Sequence, residues 1–387
     1  MKSCIRNGKV ILHDRIAEGV SIYMEEGKII AITKEVLPCD EIIDANGQYV
    51  SPGFIDMHLH GGGGEDFMDG GIEPILKAAE LHLSHGTTSL LPTSLASSNK
   101  ALREFLADVR TVKNQKLSRA NLLGVHLEGP YFSQGQRGAQ NPDYIREPQS
   151  EEYLPIIEEF GDVIRRWSYA PELSGAGAFC EALVAHGIIP SLAHTEATYP
   201  EVKEAFDLGC RLVTHFYSGM NGVTRKGAYR QLGAVESAYL LDDMNVEVIA
   251  DGHHLPPDLL RLILKIKGVE HVSLVTDSMR GGGQGDGESF LGKREEAMPC
   301  VIDGGVAFLL DRTAFAGSVA TADQLVRTVT KKVGVSLPDA IRMMCENPAN
   351  ILGEQTKGRL CVGCDADIVL FDEEINVSAV FVAGNRV

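Results

Sequence analysis

The chain lacks an excess of positive charge, a long apolar run and a second pair of closely spaced cysteines. It carries 36 Lys and Arg against 53 Asp and Glu, a net charge of −17. A surface this acidic argues against nucleic acid or an anionic membrane as a partner. No stretch approaches the roughly 18 consecutive apolar residues of a membrane-spanning helix. Its opening residues, Met1-Lys2-Ser3-Cys4-Ile5-Arg6-Asn7-Gly8, are polar, so no secretory leader is expected and a cytoplasmic location is inferred. Eight cysteines are present, and without a leader they are expected to be free thiols in a reducing compartment. Cys361-Val362-Gly363-Cys364 has no second pair to complete a zinc site and reads as a turn between strands.

What is present is the composition of a globular α/β enzyme. The 387 residues are 44% hydrophobic and 23% charged. That length suits two or three average domains, or one large barrel with an accessory unit. Both ends read as short strands broken by turn signals. At the N-terminus these are Val10-Ile11-Leu12, residues 19–24, 28–32 and 41–44, with Asn7-Gly8, Glu26-Gly27 and Asn46-Gly47 between them. At the C-terminus they are residues 358–360, 367–372 and 377–382. The two ends are expected to meet in one small β-sandwich made of residues 1–51 and 355–387.

Between the ends, apolar strands alternate with amphipathic helices. Eight strands are expected at 52–58, 87–93, 122–128, 163–170, 188–194, 211–217, 245–251 and 272–277. Helices are expected over 75–85, 101–113, 177–186 and 201–208. This order implies a parallel sheet, and eight units over residues 52–354 fit a (β/α)8 TIM-type barrel.

Active groups of such a barrel sit where its strands end. Strand 1 ends in His58-Leu59-His60, whose imidazoles share one strand face, about 7 Å apart along the backbone. Strand 3 ends in Glu128, strand 5 in His194, strand 6 in His215, and strand 8 in Asp277; strand 7 runs into Asp251-Gly252-His253-His254. Singly, each is an ordinary rim or cap residue. Their recurrence at one end of six strands is not explained that way. Imidazole nitrogens and carboxylate oxygens together suit zinc or ferrous iron, and manganese is also accommodated.

The run Pro52-Gly53-Phe54-Ile55-Asp56-Met57-His58-Leu59-His60-Gly61 resembles the amidohydrolase superfamily. His126-Leu127-Glu128-Gly129-Pro130, Gly138-Ala139-Gln140-Asn141-Pro142, Ala193-His194-Thr195, Thr214-His215-Phe216-Tyr217, Ala250-Asp251-Gly252-His253-His254 and Ala316-Gly317-Ser318 are similar to the N-acetylglucosamine-6-phosphate deacetylases. The resemblance implies one or two divalent metal ions per chain. Glu128, His194 and His215 would hold one, and His58, His60 and Asp277 the other, with Glu128 bridging. It implies that Asp277 carries the proton from the attacking water to the leaving amine, and that His254 stabilises the oxyanion. His253 is open between packing and support. A homodimer is implied as well.

For the substrate, the resemblance points to Ala139, Gln140, Ser218, Gly219, His254, Ala316 and Gly317 as contacts. Arg225, Lys226 and Arg230 stand in the segment that helps hold phosphate in the family. Two positions depart from the family: Gln140 replaces a histidine, and Ser218 replaces an asparagine. The expected reaction is deacetylation of N-acetylglucosamine 6-phosphate. N-acetylgalactosamine 6-phosphate, an unphosphorylated N-acyl sugar, a cyclic amide and a non-catalytic barrel are the alternatives. Ser168-Tyr169-Ala170-Pro171-Glu172 offers no metal-bridging lysine at the end of strand 4, which argues against a cyclic amide. Gly281-Gly282-Gly283-Gln284-Gly285-Asp286-Gly287 reads as a flexible surface loop rather than a phosphate cradle.

Overall fold

A computed structural model describes all 387 residues. Eight parallel strands, numbered here for the barrel alone, form the wall: β1 (Phe54–Leu59), β2 (Thr87–Pro92), β3 (Val125–Glu128), β4 (Ile164–Tyr169), β5 (Ile189–Leu192), β6 (Leu212–Val213), β7 (Asn245–Val248) and β8 (Val272–Leu274). β3 to β8 pair in sequence order. β1 pairs with β2, and Thr93 bridges to His126. The ring closes where the Asp277 N–H donates to the His58 carbonyl, 2.8 Å away, and the His60 N–H to that of Ser278, 2.7 Å away. The architecture is therefore α/β, a TIM-type barrel with separate β-sheets.

Local chemistry sets the helix boundaries. The Ser98 side chain accepts the Ala101 N–H and starts the helix Asn99–Gln115. Thr198 and Glu201 form a capping box that starts Tyr199–Asp207. Both helices begin two residues before the periodicity alone suggests. Strand β6 is shorter than expected, because His215 at φ +29° turns the backbone out of the extended region.

The two chain ends do pair. Strand Tyr49–Pro52 lies between Ile368–Phe371, antiparallel, and Lys9–Ile11, parallel. This six-stranded sheet faces a four-stranded one built from residues 2–44. Ile5, Ile22, Ile29, Val50, Ile368 and Phe381 pack between them. Residues 358–360 are not the expected strand. Gly358 takes φ +76°, and a side chain there would collide with the Cys345 carbonyl.

One further expectation is corrected. Cys361 and Cys364 are joined as a disulfide across their turn, their Cα atoms 5.5 Å apart, while the other six cysteines are free. The glycine-rich segment after β8 is buried at Gly281 and Gly282 and exposed from Gly283 to Gly287, and the residue just before it is tightly held. Arg280, 3% exposed, donates to both oxygens of buried Asp69 at 2.9 and 3.0 Å and to the carbonyls of Gly64, Phe290 and Gly292. Beyond that segment an unforeseen antiparallel sheet, residues 287–318, folds back over the barrel mouth.

Candidate active site

Six side chains from five strands meet at the mouth. Glu128 is the hinge between them. Its Oε1 lies 2.9 Å from His215 Nε2 and 3.1 Å from His194 Nε2, and its Oε2 lies 3.3 Å from His60 Nε2. Asp277 Oδ1 in turn lies 3.2 Å from His60 Nε2 and 3.4 Å from His58 Nε2. The atoms group as two triads, Glu128–His194–His215 and His58–His60–Asp277. All six residues are buried.

The electrostatics are those of a cation site. Burial would raise the Glu128 carboxyl, yet His194, His215 and His60 hold it well below the usual carboxylate range. Burial likewise opposes ionisation of Asp277, and His58 and His60 overcome it. His60 is pushed down by burial but lifted more strongly by Asp277 and Glu128, to about 10. Protons here stand where metal ions would stand.

The donor set fits a divalent metal. His58 Nε2 is fully buried without a hydrogen-bond partner, and it faces the two carboxylates. The opposite ring nitrogens of His194 and His58 are tied down as they are in metal sites, while Nδ1 of His60 and of His215 is buried without a partner. His194 Nδ1 is 2.8 Å from the Gln136 carbonyl, and His58 Nδ1 is 3.3 Å from Glu247 Oε2. Three of the six ligand candidates, His194, His215 and Asp277, adopt positive φ (+45°, +29° and +49°). Such conformations cost about 1–3 kcal/mol each and cluster at functional positions.

A cavity of about 330 Å³ opens above the triads. Ala139, Gln140, Ser218, Gly219, His254 and Gly317, all singled out in the sequence, line it. Gly219 must be glycine: it has φ +58°, and a Cβ would sit 2.7 Å from His194 Nδ1. Gln140 is turned toward the triads, donating to Glu128 Oε2 at 2.7 Å while accepting the Ala96 N–H at 2.8 Å. His254 is fixed by Asp251, whose Oδ2 lies 2.8 Å from Nδ1, and by the Phe315 ring at 4.4 Å between centroids.

Other candidates lie elsewhere. Ala316 faces the opposite side of its strand from its lining neighbours Phe315 and Gly317. Arg225, Lys226 and Arg230 stand on an exposed hairpin, Thr224–Lys226 paired with Tyr229–Gln231, and do not line the cavity. His253 is exposed. Leu95, Tyr217, Leu291 and Phe315 form an apolar wall that the sequence reading did not single out. Two of these, Leu291 and Phe315, come from the returning sheet, Phe315 directly before Ala316-Gly317-Ser318.

Residues 49–387 match the model of the amidohydrolase family. The chain belongs to the amidohydrolase family. A curated N-acetylglucosamine-6-phosphate deacetylase of Lysinibacillus sphaericus is 31% identical over 381 residues, 98% of this chain and 96% of that protein. An N-acetylgalactosamine-6-phosphate deacetylase of Escherichia coli O157:H7 is 30% identical over 388 residues, 99% of each. Among solved structures, a variant of the Mycobacterium smegmatis N-acetyl-D-glucosamine-6-phosphate deacetylase in complex with N-acetyl-D-glucosamine-6-phosphate superposes with a TM-score of 0.89 at 30% identity. The match covers 100% of this chain and 98% of that one. As an amidohydrolase the protein is a hydrolase of linear amide C–N bonds, with a divalent metal as cofactor.

Proposed function

We propose that the protein is a deacetylase of N-acetylglucosamine 6-phosphate, releasing acetate and glucosamine 6-phosphate. The observation that carries this is the floor of the cavity: Glu128, with His194 and His215 in one triad, also reaches His60 of the other, directly beneath a space of sugar size. The full-length likeness to proteins of that name supports it.

Glu128, His194 and His215 would hold one cation, and His58, His60 and Asp277 the second. Zinc fits this donor set best, with iron and manganese compatible. When bound, such ions make a water molecule nucleophilic near neutral pH and polarise the acyl carbonyl. Asp277, kept ionised by its imidazole neighbours, takes the proton released as that water attacks. It then delivers the proton to the amide nitrogen, which cannot leave as an anion. His254, whose Nδ1–H is held by Asp251, stabilises the charge developing on the carbonyl oxygen through an Nε2–H, which the ring carries as the imidazolium beside that carboxylate. The apolar wall of Leu95, Leu291 and Phe315 excludes competing water.

A second reading has its own observation. No Lys or Arg lines the cavity, which favours an unphosphorylated N-acetyl amino sugar. The E. coli relative keeps the galactose epimer in play. Acetate release from N-acetylglucosamine, N-acetylgalactosamine and their 6-phosphates decides among these. The fastest turnover is expected on N-acetylglucosamine 6-phosphate, and no turnover of either phosphosugar would remove the main reading. The cytoplasmic location, the homodimer and the division into 1–51 plus 355–387 and 52–354 belong to the same proposal. No helix is long and apolar enough to cross a membrane.

A further inference from the structure

Inside the barrel, below the ligand triads, lies a buried ion pair for which the amide chemistry above has no use. Arg166 on β4 and Glu247 on β7 are both completely buried. One guanidinium nitrogen of Arg166 bonds Glu247 Oε1. The other nitrogen donates to Thr214 Oγ1 at 2.8 Å and Ser191 Oγ at 3.2 Å. Taking two charges out of water is costly unless each is well satisfied, and a barrel core can be filled by aliphatic side chains instead. The pair is therefore expected to serve something.

What it touches is the metal-binding set. The second oxygen of Glu247, Oε2, lies 3.3 Å from His58 Nδ1 and 3.3 Å from the main-chain N–H of His215. One carboxylate thus contacts one member of each triad. With Arg166 occupying its other oxygen, Glu247 stays an ionised acceptor, so the shared hydrogen must sit on His58 Nδ1. The lone pair of neutral His58 is then left on Nε2, the atom that is buried, unpartnered and 3.4 Å from Asp277.

We propose that Glu247, buttressed by Arg166, is a positioning residue that fixes His58 in the metal-binding tautomer and so sets the affinity of the second cation. The proposal rests on the reading of the two triads as cation sites. Partners of this kind typically change metal affinity by about 10- to 100-fold.

The test compares zinc stoichiometry and affinity in the full-length holoenzyme and two variants that leave no lone buried charge. Arg166→Met/Glu247→Leu removes the acceptor; Arg166→Met/Glu247→Gln keeps a neutral one. Expected are two ions in the wild type, second-ion binding weakened about 10- to 100-fold in the Leu variant, and partial recovery in the Gln variant. Excess zinc should restore turnover of the Leu variant, which a merely distorted barrel would not show. A Leu variant holding its second ion within about twofold of wild type overturns the proposal alone. A wild type holding no ion overturns the cation-site reading as well. A neutron map of the wild-type holoenzyme needs no variant: a deuteron on His58 Nδ1 supports the proposal, and its absence there overturns it.

Discussion

His194 Nε2 and His215 Nε2 lie 3.2 Å apart and share a single oxygen of Glu128. Two imidazole nitrogens at that separation cannot both hold a proton comfortably, but both can donate a lone pair to one cation. Asp277, in the other triad, lines the same cavity as Glu128, His194 and His215.

Asp277→Asn removes the proton carrier and leaves the Glu128–His194–His215 triad intact. The expected outcome is a fall in kcat of about 10²- to 10⁴-fold with at least one ion retained. Steady-state kinetics beside elemental analysis checks it. Near-wild-type turnover would show that another group moves the proton.

His254→Asn should lower kcat by about 10²- to 10³-fold while changing KM little, because charge develops on the carbonyl oxygen only in the transition state. A variant whose KM rises while kcat holds would instead make His254 a ground-state sugar contact.

His82 supplies a pH prediction away from the ligands. It is fully buried, 2.8 Å from the Gly61 carbonyl, and burial depresses its pKa from 6.5 to about 4. The unfolded chain therefore binds more protons than the folded one between those values. Stability from this group is intact above pH 6.5 and is lost as pH falls toward 4. His82→Gln keeps a donor and cannot titrate. Its urea-unfolding free energy should gain roughly 2–3 kcal/mol relative to wild type between pH 7 and pH 4.5. A difference that stays flat with pH would count against the assignment.

Arg280→Met strips the partner from Asp69, which is 2% exposed. Leaving that carboxylate buried and less satisfied should cost about 3–5 kcal/mol in equilibrium unfolding. Because Arg280 also ties down the Phe290 and Gly292 carbonyls, the Leu291 wall of the cavity should loosen and KM should rise. A loss below about 1 kcal/mol would mean that Arg294, 3.4 Å from Asp69, suffices.

The primary structure announced the strand ends because barrel catalysis confines ligand residues to them. His58, His60, Glu128, His194, His215 and Asp277 each follow an apolar run that periodicity can locate. Glu247 and Arg166 escaped notice for the opposite reason. Glu247 between Val246 and Val248, and Arg166 between Arg165 and Trp167, each read as an outward-facing strand position, and only ring closure turns them inward. Arg225, Lys226 and Arg230 stand on an exposed hairpin outside the cavity lining, a placement that a run of cations near a motif does not reveal.

Order along the chain thus determined the kind of molecule: alternating strands and helices, donors at the strand tips, and chain ends rich in β-branched residues. Such features are local and periodic, so they survive without coordinates. How closely the donors approach one another, which loop walls the cavity and which buried charge contacts His58 were decided by the closed ring. Those relations link residues as much as 219 positions apart, as Asp277 is from His58, and separations of a few ångströms between such residues exist only once the barrel has formed.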